Sequence, residues 1–290
     1  MASNTADRRL AWALCAPAVV AMLAVTGYPI LNAFWLSLHR YDLRFPEQQA
    51  LVGLANYTSV LSSAVWWQAL LNTLIITTAS VSIELVLGLA LALLMHRRFF
   101  GRQFVRASIL IPYGTVTVVA ALAWKFAFDP TLGFVNALLG VDQAWFSERW
   151  SAFLIIIVTE VWKTTPFMAL LLLAALTLVP NEVLKAARVD GASSVQRFFR
   201  ITLPLMKPAL LVALLFRTLD AFRIFDTVFV QTRGAQETES VSILGYNALI
   251  VRLNLGLGSA VSILIFCFAI AIAALFVQGF GVVLDRQRSP

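Results

Sequence analysis

Charge is what this sequence has least of. Asp, Glu, Lys and Arg make up 13% of its 290 residues, against roughly 25% in soluble domains. Hydrophobic residues make up 60%, more apolar surface than a soluble core can hide, so a water-soluble globular fold is excluded. The two cysteines, Cys15 and Cys267, sit in apolar stretches far apart, with no metal-ligand spacing around either, and read as small core residues. Neither histidine, His39 or His96, falls within an apolar run, and no G-x-x-x-x-G-K-[ST] phosphate loop is present.

Long hydrophobic runs are what the sequence has instead. Six stretches reach the roughly 20 apolar residues that a bilayer span needs, near residues 10–37, 69–95, 105–128, 152–178, 206–231 and 256–280. Together with their loops they account for the chain, which predicts an all-α polytopic membrane protein with one transmembrane domain over residues 1–290. Arg8 and Arg9 ahead of an apolar run resemble a signal peptide. However, no small-residue cleavage site precedes Cys15 and the run continues to Leu38, so the first span is expected to be retained.

Lysine and arginine concentrate on the cytoplasmic side of membranes. With the N-terminus inside, the inner segments carry Arg8, Arg9, Arg97, Arg98, Arg102, Arg106, Lys185, Arg188, Arg197, Arg200, Lys207, Arg286 and Arg288, and the outer loops carry Arg40, Arg44, Arg149, Arg233 and Arg252. Thirteen against five places both termini in the cytoplasm. The net charge of +7 follows from this asymmetry and calls for no nucleic-acid partner.

Two outer loops are long, residues 39–68 with the Trp66-Trp67 pair expected at the membrane interface, and the polar, glycine-bearing residues 232–255. The most informative loop is inside, at residues 180–208. Asn181 is placed to cap a short helix that closes at Gly191, and Ser193 or Ser194 to cap a second one carrying Phe198 and Phe199. Pro204 and Pro208 are expected to break the chain before the fifth span. Two adjacent phenylalanines near four basic groups on a cytoplasmic loop call for a partner protein, or else for contact with lipid headgroups.

These residues carry a family likeness. Ala186-Ala187, Asp190-Gly191-Ala192, Phe198, Ile201, Leu203-Pro204 and Pro208 resemble the cytoplasmic signature loop of binding-protein-dependent ABC importer permeases. Pro29 to Leu38, Gly53-Leu54-Ala55-Asn56-Tyr57, Trp162-Lys163 with Pro166-Phe167, and the run Asp220 to Asp226 resemble the first permease subunit of maltose- and trehalose-type sugar importers. The resemblance implies the type I permease fold of ABC importers, in the bacterial cytoplasmic membrane, and a sugar substrate, trehalose before maltose or a glycerol-phosphate-like compound. It implies a second homologous permease, two ATPase subunits that bind ATP and Mg, and an extracytoplasmic sugar-binding lipoprotein as partners, with no cofactor in this chain. It also makes residues 180–208 the coupling loop, with Ala186, Ala187, Asp190, Gly191, Ala192, Arg197, Phe198 and Phe199 meeting the ATPase. Two positions depart from the pattern. Lys185 stands where the family has Glu, and Arg233-Gly234-Ala235 where it has Gly-Gly-Pro.

The membrane charges point to the pathway. A charged side chain at mid-bilayer costs about 2.5 to 3.5 kcal/mol, and an apolar one returns only about 0.3 to 0.6, so the fifth span, with Arg217, Asp220, Arg223 and Asp226, must face protein or water. Arg217, Asp220, Ala221 and Ile224 share one helical stripe, and Glu160, Lys163, Thr164 and Phe167 share another on the fourth span. In maltose-type relatives the corresponding faces line the sugar cavity. The competing reading is that Glu160 with Lys163, and Asp220 with Arg217 or Arg223, are structural pairs. Asp226, on the far side of a continuous helix, is expected to be structural, and Glu84, alone in the second span, to bond a neighbouring helix. An intramembrane enzyme would need Glu160, Asp220 and Asp226 together, and an ion-coupled transporter would leave the cytoplasmic loop without a purpose.

Overall fold

The computed structural model describes residues 5–97 and 100–288. Arg98 therefore lies outside the described residues, as do the side chains of Arg8, Arg9, Arg102, Arg286 and Arg288. The chain opens with α1 (Thr5–Met22), which passes through a π-turn at Leu23–Gly27 into α2 (Tyr28–Ser37). A short antiparallel pair, β1 (His39–Arg40) with β2 (Ala50–Leu51), and α3 (Ala55–Leu61) follow. Next come α4 (Ala64–His96), α5 (Arg102–Gly114), α6 (Thr117–Ala127), α7 (Val135–Leu139), α8 (Arg149–Thr177), α9 (Asn181–Val189) and α10 (Ser194–Arg197). The chain ends with α11 (Leu203–Phe222), α12 (Asp226–Gln231), α13 (Val241–Tyr246) and α14 (Leu255–Arg288).

Among the described residues, five helices are long and apolar enough to cross a membrane, and six if the bent pair α5 and α6 is one span. That pair departs from the straight third span expected over 105–128, with a bend of 93°. Thr115 and Val116 are both extended, with ψ of 137° and 134°, and together make the corner. Pro112, in the last turn of α5, has no N–H to continue the ladder there.

The fifth span also differs. Helical structure begins at Ser194, widens into a π-turn at Phe198–Thr202 and runs on through Pro204 and Pro208, so the prolines do not break it. Pro204 falls in the first turn of α11, where a missing N–H is tolerated, and the wider turn before it absorbs the misfit. The break comes later. Arg223 leaves the helix at φ −98°, ψ 21°, Phe225 sits at φ −133°, ψ −64°, and α12 restarts at Asp226. The loop 232–255 is likewise helical over α13 and a π-turn at Asn247–Val251.

The chain folds as two compact units, Met1–Ala64 with Leu244–Phe266, and Val65–Ile243 with Cys267–Pro290. In the first, Asn56 donates both amide protons, to the carbonyls of Ser37 (2.8 Å) and His39 (2.9 Å), while the Tyr57 hydroxyl shares a 2.6 Å hydrogen bond with Ser37. These bonds pin α3 under the end of α2. Gly53 precedes them at φ 56°, a left-handed position that favours glycine. The Gly-Leu-Ala-Asn-Tyr run is therefore a folding signal for the hairpin region.

In the second unit α4 and α8 run parallel, since Thr164 bonds Glu84 and, one turn on, Gly88 faces Met168. A Cβ on Gly88 would fall 2.8 Å from Met168 Cγ, so glycine is what lets the two helices approach. Ala92, Met168, Leu172, Met206 and Ala213 fill the core where α4, α8 and α11 meet. Trp66 and Trp67 have different surroundings. Trp66 is buried, with its ring 6.2 Å from that of Phe268, while Trp67 is exposed. Neighbours on a helix point about 100° apart, so one ring packs against protein while the other faces outward.

Candidate transport site

Four charged side chains from three helices meet inside the second unit. Arg217, on α11, places Nε and Nη2 against the two carboxylate oxygens of Glu84 on α4, the Nη2 bond measuring 2.9 Å. Nη2 also donates to Glu160 of α8 at 3.1 Å, and Nη1 donates to Asp220 at 2.9 Å. Glu84 further accepts a 2.8 Å hydrogen bond from the Thr164 hydroxyl, and the other oxygen of Glu160 accepts one from Thr227. Gln231 extends the seam by donating to Thr159 at 2.8 Å. Ion pairs removed from water survive when each partner is also hydrogen-bonded, and this cluster meets that condition.

One of the two ion pairs of the competing structural reading is not formed. Glu160 turns to Arg217 and not to Lys163, whose Nζ lies 5.9 Å from the centre of the Tyr113 ring. Asp220 does pair with Arg217, three residues away. Glu84 reaches a neighbouring helix as expected, but as a full ionic partner of Arg217.

Beside the cluster is an open cavity of about 190 Å³. Of the residues named from sequence, Glu160, Lys163, Thr164, Asp220 and Ile224 lie on its wall, joined by Thr117, Arg223, Phe225, Asp226 and Thr227. Phe167, Arg217 and Ala221 are not on it: Phe167 stacks on Tyr113 at 5.4 Å, and Arg217 and Ala221 are buried behind. Asp226 is the clearest correction. A continuous helix would carry it to the far side, but the break at Arg223 resets the helical phase and brings its exposed carboxylate to the same cavity as Asp220. Thr117 reaches the wall because the α5–α6 corner brings the start of α6 there. Acids, bases, hydroxyls and the apolar Ile224 and Phe225 can together meet the hydroxyls and ring faces of a sugar.

The loop 180–208 forms the two short helices expected, with one change at its start. Asn181 is the first residue of α9 and makes no cap; Pro180 precedes it in an extended conformation. Gly191 closes α9 at φ 82°, and the Ala192 N–H reaches back to the Ala187 carbonyl at 2.9 Å. Ser193 caps α10 in a reciprocal box with Gln196, at 3.2 and 2.8 Å. Arg197 bonds the Ala192 carbonyl and the Ser194 hydroxyl, which fixes the turn. Lys185, Ala186 and Asp190 are exposed and Ala187 is half-buried. The rings of Phe198 and Phe199 meet edge-on at 5.0 Å, with Phe199 60% exposed.

Residues 84–289 match the family model described as binding-protein-dependent transport system inner membrane component. The chain belongs to this family. It is 54% identical over 279 residues to a trehalose transport system permease protein of Mycobacterium tuberculosis, covering 96% of this chain and 91% of that one. It is 39% identical to a trehalose/maltose transport system permease protein of Thermococcus litoralis, covering 94% of each. A bacterial ABC transporter involved in import of the polysaccharide alginate has a chain of the same fold, with a TM-score of 0.81 at 20% identity, covering 98% of this chain and 97% of that one. The all-α importer permease fold is thereby established.

For a permease of this family, the two departures from pattern have visible settings. Lys185 is exposed on α9. Arg233, Gly234, Gln236 and Glu237 all take positive φ, between 54° and 84°, in a tight turn. Asn72 holds that turn by donating to the carbonyls of Glu237 (2.7 Å) and Glu239 (2.8 Å), and Arg149 bonds the Asn72 side-chain oxygen at 2.8 Å. Helical phase alone gives neither Arg217 as the partner of Glu84 nor the place of Thr117, Asp226 and Thr227 at the site. Glu84 and Asp226 carry a signal, each being an acid in an apolar span; Thr117 and Thr227 carry none.

Proposed function

We propose that the chain is one permease subunit of an ATP-driven importer that moves trehalose, or a closely related disaccharide, into the cytoplasm. The observation that carries this reading is the cavity walled by Asp220, Asp226, Glu160 and Lys163, set among apolar helices of a chain that is 54% identical over 279 residues to a trehalose permease. Within it, Asp220 and Asp226 accept hydrogen bonds from sugar hydroxyls, while Lys163 and Arg223 donate. Both termini and the loop 180–208 face the cytoplasm.

Ala186, Ala187, Asp190, Gly191, Ala192, Arg197, Phe198 and Phe199 then form the contact with an ATPase subunit. The exposed Phe199 and the rigidly capped turn at Ser193 support that role. A second permease completes the pathway, and an extracytoplasmic binding protein delivers sugar to the outer loops. One neighbouring structure is of an alginate transporter together with its periplasmic protein, which supports such a partner. The motion is alternating access: ATP binding closes the ATPase pair and turns the cavity outward, and resetting after hydrolysis releases the sugar inside.

Two experiments test the proposal. Uptake of labelled trehalose, maltose and glycerol phosphate by cells expressing the whole transporter is expected to be fastest for trehalose; preference for glycerol phosphate contradicts the substrate. Phe198→Asp with Phe199→Asp is expected to abolish co-purification of the ATPase subunits, and undiminished co-purification contradicts the coupling loop.

A further inference from the structure

Burial grades along three linked side chains. Glu84 has no exposed side-chain surface, Arg217 has 1%, and Asp220 has 67%. The guanidinium is planar, and two bonds to one carboxylate fix its plane as well as its position. Four of its five N–H groups are used here: Nε once, Nη2 twice and Nη1 once. Arg217 therefore cannot turn without breaking its bonds to Glu84. Glu84 in turn is held by Thr164, at the level where Gly88 lets α4 and α8 approach.

We propose that Glu84 and Arg217 are positioning residues for transport: a buried bracket that fixes Asp220 Oδ2 so that Oδ1 is presented to the cavity in one orientation. Neither Glu84 nor Arg217 lies on the cavity wall. An exposed aspartate left to itself samples several rotamers, whereas recognition of hydroxyls requires a carboxylate held to within about 0.5 Å. The bracket supplies that constraint from outside the sugar's reach. This inference rests on the cavity reading above.

The test uses the complete transporter with its delivery protein in proteoliposomes, and reads initial uptake of labelled trehalose per assembled complex. Normalising by complex separates positioning from a loss of folded protein. Glu84→Gln keeps the shape and loses the charge, and is expected to lower the maximal rate per complex about tenfold, as loss of a supporting partner behind a functional group commonly does. Glu84→Asp, which restores the charge on a shorter arm, is expected to give a rate between that of Glu84→Gln and wild type. A wild-type rate per complex for Glu84→Gln overturns the bracket. If that variant does not assemble, Glu84→Asp decides: a reduced rate supports the bracket and a wild-type rate overturns it. Asp220→Asn separates the two levels. A wild-type rate for Asp220→Asn means that the cavity reading itself is wrong, and a reduced rate with Glu84→Gln unchanged removes the bracket alone.

Discussion

Arg217 lies side-on against Glu84, a residue 133 positions away in sequence, so that one guanidinium ties α11 to α4 and, through Glu160, to α8. Truncating one member of a buried pair leaves the others charged and unpaired, at a cost of about 3 to 5 kcal/mol. Arg217→Leu strands the two buried carboxylates, Glu84 and Glu160, and is expected to lower the yield of intact complex sharply. Arg217→Lys keeps the charge without the fork and is expected to recover only part of it. Thermal unfolding of the detergent-purified complex reads the difference, and an unshifted midpoint in Arg217→Leu contradicts the network.

Gly88 sets the separation of the same two helices. Gly88→Leu must displace Met168 or the backbone at Ala169, whose N lies 3.2 Å from the Cβ position, and overpacking of this kind costs about 1 to 3 kcal/mol. Met168→Ala should relieve part of that loss. A double-mutant cycle on thermal stability is expected to show coupling between the two positions, and strict additivity would mean that they do not touch.

Much of this was legible in the sequence, because the bilayer imposes long apolar runs and makes every charge inside them conspicuous. Span positions, the helix-turn-helix before the fifth span, the Gly191 closure and the Arg217–Asp220 stripe all follow from local pattern. Contact between distant segments does not. Nothing near Glu84 says that its partner is Arg217. The break at Arg223 has no proline or glycine to announce it, so helical phase carried Asp226 to the wrong face. Pro204 and Pro208 misled in the opposite direction, since a π-turn ahead of them accommodates what local rules read as a stop. Sequence could place Trp66 and Trp67 together but not see that one side of α4 is buried.

Asn72 anchors the turn around Gly234 by two hydrogen bonds to backbone carbonyls, and its side-chain oxygen accepts one from Arg149 and one from Gln68. Asn72→Ala removes all four at once, and with net values of about 0.5 to 1.5 kcal/mol each the loss is expected to be large enough to open residues 232–240. Hydrogen–deuterium exchange in that segment should rise while exchange in the α8 core stays slow. Unchanged exchange in the turn would show that the strained residues hold themselves.

Arg44 beside Asp42 holds the Asp42 carboxyl down at about 2, through hydrogen bonds from both its side chain and its backbone N–H. A depressed carboxyl contributes stability that is complete above its unfolded value and is lost as pH falls through its folded one. The hairpin between β1 and β2 should therefore exchange no faster at about pH 4 than at neutrality, once intrinsic rates are corrected, and faster near pH 2. Asp42→Asn should abolish that pH dependence. A transition centred near pH 4 in the native chain would contradict the pairing.

The most direct measurement is ATP-dependent accumulation of labelled trehalose in proteoliposomes containing this chain with its partner permease, ATPase subunits and delivery protein. Accumulation is expected to require both ATP and the delivery protein and to be reduced by Asp220→Asn. Accumulation driven by an ion gradient without ATP, or none at all with trehalose from an intact complex that accumulates another solute, would contradict the proposed function.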